Sequence, residues 1–302
     1  MAAIVDRREA DRMIPGKFDY HAPSSVQEAI GLLQQYGDDA KVMAGGQSLI
    51  PLMKMRLADP AHIVDINRIS GLSDISEDDN WLTIGALTRE SALERSATVR
   101  ERYPLLLDTA KVIADPLVRN LATVGGNIVH ADPANDHPAT MLAYRVEVVA
   151  QGPNGERTIP ADDFFLDAFQ TALAPDEILT AIRIPAPAAL TGGAYVKFER
   201  KVGDYAIAAA AAHLSLDPDG TISQAGLALT NVAFAPARSA RAEDALRGQP
   251  ANDDTFQQAA AIAAEDCDPA ADLRGSADYK RSMAKTMALR ALRLAAVRAR
   301  SA

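Results

Sequence analysis

The sequence predicts an α+β protein made of two domains. Its 302 residues are about twice the length of an average domain. Segments with helical spacing of apolar residues are interleaved with short strand-like runs, and three helical segments close the chain. The proline-rich stretch Pro185-Ala186-Pro187 interrupts this pattern and is the predicted boundary between the domains.

The elements of the first domain follow in chain order. Residues 1–12 are expected to form a flexible arm. Ser24 or Ser25 can cap a helix over residues 26–35, because a hydroxyl there accepts a hydrogen bond from an N–H of the first turn. The other elements up to residue 114 are strands over 41–44, 62–66 and 81–87, a helical segment over 47–56 interrupted by Pro51, and helices from a Thr88 cap to Ser96 and over 103–114.

A second passage from a strand into a glycine pair is predicted over residues 121–127, followed by a loop over 131–138. Residues 206–216 and 222–234 are predicted to form a hairpin, although the alanine run in the first of them favours a helix by propensity. The other elements are strands over 146–150, 178–184 and 195–199, a turn at Asn154-Gly155, and helices over 239–246, 253–266 and 278–299.

Composition excludes several classes of protein. Apolar residues make up 48% and charged residues 24%, as in an ordinary globular protein. The net charge of −9 disfavours nucleic-acid binding, because phosphate neutralisation needs clustered positive charge. The single cysteine, Cys267, excludes a disulfide framework and an iron–sulfur cluster held by this chain alone. If the protein belongs to a redox enzyme, the metals lie on other chains.

No targeting signal or membrane span is predicted. The first twelve residues are polar and charged, and the longest apolar run, residues 205–212, is far shorter than the roughly twenty residues of a membrane span. The sequence therefore predicts a cytoplasmic protein and leaves peripheral membrane contact open.

Two similar glycine pairs are the strongest candidates for a binding site: Ala44-Gly45-Gly46-Gln47-Ser48 and Thr123-Val124-Gly125-Gly126-Asn127. Glycine lets the backbone approach a ligand closely and present consecutive N–H groups to an anion. Two such cradles suit a pyrophosphate held from two sides. The alternative is that each pair is only a tight turn or bulge. Neither a Rossmann fingerprint nor a P-loop occurs.

The chain resembles the FAD-binding medium subunit of the molybdenum hydroxylases, in the carbon monoxide dehydrogenase-like branch of the xanthine dehydrogenase family. The resemblance rests on the runs Met13 to Tyr20, Ala44 to Lys54 and Thr123 to Ala139. It implies an FAD-binding domain of the vanillyl-alcohol oxidase type (PCMH type) over residues 13–188, with subdomains 13–66 and 67–188. A smaller C-terminal α+β domain of the CO dehydrogenase flavoprotein type would follow over 189–302.

The resemblance also implies which residues contact a non-covalently bound FAD. The two glycine passages would hold the pyrophosphate, and Asp136 would contact the ribityl or adenosine end. Tyr205 would lie against the isoalloxazine. The full implied set is Lys41, Val42, Met43, Ala44, Gly45, Gly46, Gln47, Ser48, Leu49, Ile113, Ala114, Thr123, Val124, Gly125, Gly126, Asn127, Asp136, Leu179, Lys197, Asp204 and Tyr205. No catalytic residue and no metal ligand is implied.

The family further implies partners. Electrons would pass from a molybdenum cofactor on a large subunit, through 2Fe-2S clusters on a small subunit, to FAD and then to an external acceptor such as a quinone or NAD. A dimer of heterotrimers is expected. Gln47 departs from the branch, which often has histidine there; glutamine can still donate to a phosphate, but carbon monoxide becomes a less secure substrate.

Four features have competing interpretations. His130, Asp132, Asp136 and His137 resemble a metal-binding pattern, although their spacing fits a polar loop better. The residues alone favour Tyr205 as a core residue, whereas the resemblance implies contact with the isoalloxazine. The basic stretch from residue 274 to the end is either a solvated face or a docking surface. The whole chain is alternatively a self-contained FAD oxidoreductase, or an assembly module that uses this fold without flavin.

Overall fold

Three main sheets and the helices packed on them build the part of the chain that the structure, a computed structural model, describes, residues 14–302. Met13 and the predicted arm over residues 1–12 lie outside the described residues. The strands are β1 (Asp19–His21), β2 (Ala40–Met43), β3 (His62–Asp65), β4 (Ile75–Glu77), β5 (Trp81–Gly85), β6 (Glu147–Gly152), β7 (Gly155–Pro160), β8 (Phe165–Asp167), β9 (Gln170–Thr171), β10 (Ile178–Pro185), β11 (Thr191–Glu199), β12 (Ala206–Leu216), β13 (Ile222–Thr230) and β14 (Ala237–Arg238).

The α-helices over the described residues lie between and after these strands. They are α1 (Val26–Tyr36), α2 (Leu49–Lys54), α3 (Glu90–Arg95), α4 (Ala97–Arg102), α5 (Pro104–Val112), α6 (Pro116–Arg119), α7 (Val124–His130), α8 (Asp136–Tyr144), α9 (Ala161–Phe164), α10 (Ala240–Leu246), α11 (Asp253–Glu265) and α12 (Ala277–Ala299). Within residues 14–302 no helix combines the length and the apolar character that crossing a membrane requires.

The first sheet is parallel, with the strand order β1-β3-β2. Helix α1 covers it, and its buried Ala29, Ile30 and Leu33 share one apolar cluster with Val64 of β3. As predicted, Ser25 caps this helix by accepting a hydrogen bond from Glu28 N–H. Strand β2 ends at Met43, so the chain leaves the sheet directly before the first glycine pair.

The second sheet is antiparallel, with the order β4-β5-β10-β6-β7, and its inner face carries fully buried side chains such as Leu82, Val148 and Ile182. The predicted turn at Asn154-Gly155 joins β6 to β7. Strand β5 pairs with β10 in this sheet. The segment that follows β5 therefore starts beside the core of the same domain.

The third sheet, in the order β11-β12-β13-β14, settles the structure of the alanine run in favour of a strand. Alternate alanines of β12 face two different cores: Ala209 and Ala211 pack into the cluster of the first domain, while Ala208 and Ala210 pack under α12. Small side chains are needed on both faces because helices approach closely there, as where Gly192 lies against the backbone of α12. Tertiary packing overrides the helix propensity of alanine.

Three local predictions are wrong. Thr88 does not cap α3; Arg89 occupies that position, and Thr88 is fully buried instead. The second glycine pair does not follow a strand, because Thr123 makes only an isolated bridge to Arg89 and the glycines lie in the first turn of α7. The predicted loop over 131–138 ends early, since α8 begins at Asp136. All nine residues of α8 are buried, and Pro138 lies in the first turn, where its missing N–H removes no helical hydrogen bond.

Candidate FAD site

The two glycine pairs, about eighty residues apart in the sequence, lie side by side. A Cβ atom built on Gly126 would stand 3.8 Å from Ala44 Cβ, and one built on Gly45 would stand 2.9 Å from Ala122 Cα and collide with the carbonyl of Leu121. Only glycine lets the two passages approach this closely. The structure therefore brings together the two cradles that the sequence predicts.

The first pair presents unpaired backbone donors. Gly46 adopts a φ of 72°, the left-handed conformation that glycine tolerates, and its carbonyl accepts a hydrogen bond from Ile50 N–H at 3.1 Å. Within residues 14–302 the N–H groups of Gly46, Gln47 and Ser48 make no hydrogen bond. Consecutive N–H groups around a left-handed residue form a concave site that fits an anion such as a phosphate group.

The second pair has no donors to spare. Gly125 N–H donates to Ala86 O at 3.0 Å, Gly126 N–H to Thr123 Oγ1 at 3.1 Å, and Asn127 N–H to Thr123 O at 3.0 Å. A Cβ on Gly125 would stand 2.6 Å from Ala86 O. Gly125 therefore serves close packing, while Gly126 is exposed beside the first pair. The Oδ1 atom of Asn127, which is buried and has no hydrogen-bond partner within the described chain, adds one unsatisfied polar group.

A clamp that the sequence analysis missed joins the two passages. Asn67 Nδ2 donates to Ala44 O at 2.6 Å, and Arg89 Nη2 donates to Asn67 Oδ1 at 2.6 Å. Arg89 Nη1 also donates to Leu121 O. One guanidinium thus ties the first glycine passage to the segment just before the second. Neither residue belongs to a recognisable motif, so only the three-dimensional arrangement reveals them.

Asp136 and Lys197 form a buried ion pair, with Lys197 Nζ 2.9 Å from Asp136 Oδ2. Lys197 Nζ also donates to Val112 O at 3.0 Å, and Tyr195 O–H donates to Asp136 Oδ1 at 2.6 Å. Burial raises the pKa of Asp136, and the charge of Lys197 opposes this shift. Tyr195 was missed from the sequence, although the period of two in a strand places it on the same face as Lys197.

Asp204 and Tyr205 lie on the loop after β11. Gly203 packs against Ala114, whose carbonyl would stand 2.7 Å from a Cβ on that glycine. The Ile113 and Ala114 carbonyls are held in turn by Arg119 Nη1 at 3.0 and 3.1 Å. Tyr205 is 46% exposed rather than a core residue. The pKa of Tyr205 is raised by partial burial and by the carboxylates of Asp132 and Asp136, while the charge of Arg274 opposes this shift.

The other predicted residues divide by burial. Leu179 and Val124 are buried in the core of the first domain. Lys41 is exposed on β2, and Val42 packs against the cluster under α1. Met43 and Leu49 are partly buried on either side of the first glycine pair. Contact of these residues with FAD stays a prediction.

The four residues of the metal-like pattern turn to different partners. His137 Nε2 donates to the buried Glu90 Oε2 at 2.7 Å, and Asp136 pairs with Lys197. The ring of His130 lies 5.2 Å from that of Phe169, and Asp132 Oδ1 accepts a hydrogen bond from Ala134 N–H. Each of the four side chains has its own structural role in the loop and in α8.

Comparison with known proteins identifies the class. Residues 16–187 match the family model described as the FAD binding domain in molybdopterin dehydrogenase, and residues 193–295 match the CO dehydrogenase flavoprotein C-terminal domain. The two models together cover most of the chain. The chain therefore belongs to the class of flavin-binding subunits of molybdopterin dehydrogenases.

Individual relatives define the family within that class. The carbon monoxide dehydrogenase medium chain of Hydrogenophaga pseudoflava is 49% identical over 283 residues, which are 94% of this chain and 98% of the relative. The 6-hydroxypseudooxynicotine dehydrogenase complex subunit alpha of Paenarthrobacter nicotinovorans is 38% identical over 288 residues, 95% and 97% of the two chains. A solved structure also matches: the carbon monoxide dehydrogenase from Hydrogenophaga pseudoflava which lacks the Mo-pyranopterin moiety of the molybdenum cofactor. The TM-score is 0.92 and the sequence identity is 51%, and the match covers 95% of this chain and 99% of that one.

The chain belongs to the family of FAD-binding medium subunits of CO dehydrogenase-type molybdenum hydroxylases, which are oxidoreductases. The resemblance seen in the sequence and the fold that it implies, an FAD-binding domain followed by the C-terminal domain of the CO dehydrogenase flavoproteins, are confirmed.

Proposed function

We propose that this chain binds one FAD non-covalently and passes electrons from 2Fe-2S clusters on a partner subunit to an external acceptor. The observation that carries the proposal is the row of unpaired N–H groups from Gly46 to Ser48 beside the exposed Gly126. A pyrophosphate there would satisfy donors that the protein leaves without partners. When bound, FAD supplies the capacity to take up electrons and release them to another acceptor.

The chain's own residues hold and orient the cofactor. The first glycine passage donates to phosphate oxygens, and the Arg89–Asn67 clamp keeps that passage against the second one. The buried Lys197 places a positive charge between Asp136 and the carbonyl of Val112. Its ammonium group is held by both of these contacts, so we assign Lys197 to positioning the walls of the site.

The proposed electron donor lies on another chain. Cys267 is the chain's single cysteine, and its buried Sγ donates to Ala263 O at 3.2 Å, so the chain cannot ligate a 2Fe-2S cluster by itself. We infer a small 2Fe-2S subunit and a large molybdenum-cofactor subunit, arranged as a dimer of heterotrimers. The acceptor that reoxidises the flavin is proposed to be a quinone or NAD.

The loop around Asp204 is the better of the two candidate interfaces. Val202 is 94% exposed and Leu273 is fully exposed, and they flank the ion pair between Asp204 and Arg274. Two exposed aliphatic side chains beside the proposed flavin edge suit a protein partner.

The basic helix α12 uses most of its charge within the chain. Four of its six basic residues are paired: Lys280 with Asp272, Arg281 with Asp278, Arg293 with Asp253, and Arg298 with Asp108 of α5. Its buried alanines pack against the third sheet. These contacts favour a structural role for α12 over the docking surface that the sequence left open.

We also propose the domain division predicted from the sequence. The first sheet lies within subdomain 13–66, the second within subdomain 67–188, and the third begins at residue 191, within 189–302. The cytoplasmic location stays a prediction.

The substrate of the complex is proposed to be selected by the large subunit. Gln47 Nε2 donates to Gly45 O at 3.4 Å and therefore braces the first glycine passage. We therefore propose that Gln47 acts on FAD binding, while its bearing on carbon monoxide as a substrate stays a prediction.

Two measurements test the proposed function. Acid precipitation of the purified complex should leave about one FAD per medium subunit in the supernatant; a colourless supernatant, or flavin bound to the pellet, contradicts non-covalent binding. Rapid mixing of substrate with the reconstituted complex should then reduce the flavin, whereas the isolated chain with FAD should stay oxidised. Equal flavin reduction by the isolated chain would instead support the self-contained oxidoreductase.

A further inference from the structure

An arginine from a distant part of the chain holds Tyr205 on one face of its ring. Arg274 lies between α11 and α12, and its guanidinium carbon stands 5.6 Å from the centroid of the Tyr205 ring. Arg274 Nη2 also donates to Asp204 Oδ1 at 2.9 Å, and the same oxygen accepts a hydrogen bond from Tyr205 N–H at 2.9 Å. One carboxylate thus joins the arginine to the backbone that carries the ring.

The segment that presents Arg274 is itself anchored on the C-terminal helix. The buried Lys280 of α12 donates to Asp272 Oδ2 at 2.8 Å, and Asp272 Oδ1 accepts from the N–H groups of Arg274 and Gly275 at 2.8 and 3.2 Å. The position of Arg274 is therefore fixed by contacts that do not involve Tyr205. The Tyr205 ring therefore lies against a cation whose position Asp272 and Lys280 already fix.

A guanidinium is suited to this double contact. Its planar group lies over an aromatic face while one of its N–H groups donates to a carboxylate. A lysine in the same place would keep the ion pair with Asp204 but would lose the flat contact with the ring. Arg274 lies over one face of the Tyr205 ring, and the residue still keeps 46% of its surface exposed, so part of the residue remains accessible to a ligand.

We propose that Arg274 is a positioning residue for the flavin: it fixes the orientation of the Tyr205 ring and thereby sets the environment of the isoalloxazine that lies against it. This inference rests on the proposed function, in which Tyr205 contacts the isoalloxazine. Arg274 acts through Tyr205 and does not touch FAD, so its effect should disappear when the ring is absent.

A double-mutant cycle in the assembled complex tests this dependence. The variants are Tyr205→Ala, Arg274→Lys, Arg274→Gln and the pair Tyr205→Ala with Arg274→Lys. Arg200→Gln is the matched control, because Arg200 is 3.7 Å from Asp204 Oδ2 and 65% exposed. The readouts are the visible flavin band and the rate of flavin reoxidation, with FAD content and melting temperature measured in parallel.

We expect Tyr205→Ala and Arg274→Lys each to shift the flavin band and change the reoxidation rate several-fold at normal FAD content. The double variant should match Tyr205→Ala, and Arg200→Gln should match the wild type. A wild-type flavin band and rate in both Arg274 variants, or effects of Arg274→Lys and Tyr205→Ala that add up, would overturn the proposal. A normal band in Tyr205→Ala with FAD bound would overturn it as well, since the ring would then have nothing to position. Loss of the proposed function is distinguishable, because the wild-type complex would then release no FAD on acid precipitation.

Discussion

Gly45-Gly46 and Gly125-Gly126 follow the same sequence pattern, yet their backbone N–H groups differ in whether they have partners within the protein. In each pair the first glycine packs against neighbouring backbone: Gly45 against Leu121 and Ala122, and Gly125 against Ala86. The N–H groups of residues 46–48 have no partner within residues 14–302. The N–H groups of residues 125–127 all donate to the protein. The first pair is therefore the proposed donor to a ligand, and the second pair shapes the space beside it.

A glycine pair in a sequence therefore predicts close approach of the backbone more securely than it predicts free hydrogen-bond donors. Both pairs require the absence of a Cβ atom, which the sequence states directly. Whether the N–H groups remain available depends on the next element. Helix α7 begins at Val124, so Thr123 caps its first turn and consumes one N–H group.

Substitution of the packing glycines should have the largest effect. Gly45→Ala and Gly125→Ala each place a Cβ against backbone atoms that cannot rotate away, so we expect each to lower the free energy of unfolding by about 3 kcal/mol. Urea unfolding measures this loss. Gly31→Ala is the matched control: nothing lies within 4 Å of its Cβ position in the exposed middle of α1, and the change should stabilise the protein by about 0.5–1 kcal/mol. Wild-type stability in Gly45→Ala would contradict the close approach of the two passages, and wild-type stability in Gly125→Ala would contradict the packing of the second pair against Ala86.

Loss of the Thr123 cap should have a smaller effect, confined to the second pair. Thr123→Val keeps the shape of the side chain but removes the acceptor for Gly126 N–H, so we expect a loss of about 1 kcal/mol in unfolding free energy. Thr123→Ser keeps the hydroxyl and should restore most of it. If Thr123→Val bound FAD more tightly at unchanged stability, the N–H group of Gly126 would be a ligand donor and the contrast between the pairs would be wrong.

The clamp between the two pairs should affect binding more than stability. Arg89→Lys keeps a positive charge but cannot donate both to Leu121 O and to Asn67 Oδ1 in the same geometry. We expect FAD affinity to fall several-fold, with unfolding changed by less than about 1 kcal/mol. Fluorescence titration with FAD measures the affinity. Arg68→Lys is the control, because it alters a nearby basic residue outside the clamp and should leave the affinity unchanged.

Most of the fold was predictable from local signals, and the exceptions have physical causes. Ser25, the Asn154-Gly155 turn and the C-terminal helices follow propensity and capping rules. The alanine run of β12 needed knowledge of both cores that it separates, which no local rule supplies. The start of α8 at Asp136 was missed because the surrounding prolines favour a loop and only the burial of its apolar face decides for a helix.

The candidate site was predictable in its backbone and less so in its side chains. Glycine pairs are visible in a sequence because their residue type is restricted. Tyr195 was hidden because a tyrosine in a strand resembles any core residue, and Asn67 and Arg89 were hidden because their partners are backbone carbonyls elsewhere in the chain. Contacts between distant segments carry no local signature.

In the proposed function the two glycine pairs hold the pyrophosphate of FAD, with the first pair as donor. The most direct test is the affinity of the purified full-length chain for FAD relative to riboflavin, which lacks the pyrophosphate. Gly46→Ala strains a backbone at φ 72° and turns the N–H row away, so the preference for FAD should fall by about tenfold or more. Gly126→Ala should reduce it less, and Gly31→Ala should leave it unchanged. A wild-type preference for FAD in Gly46→Ala would contradict the claim.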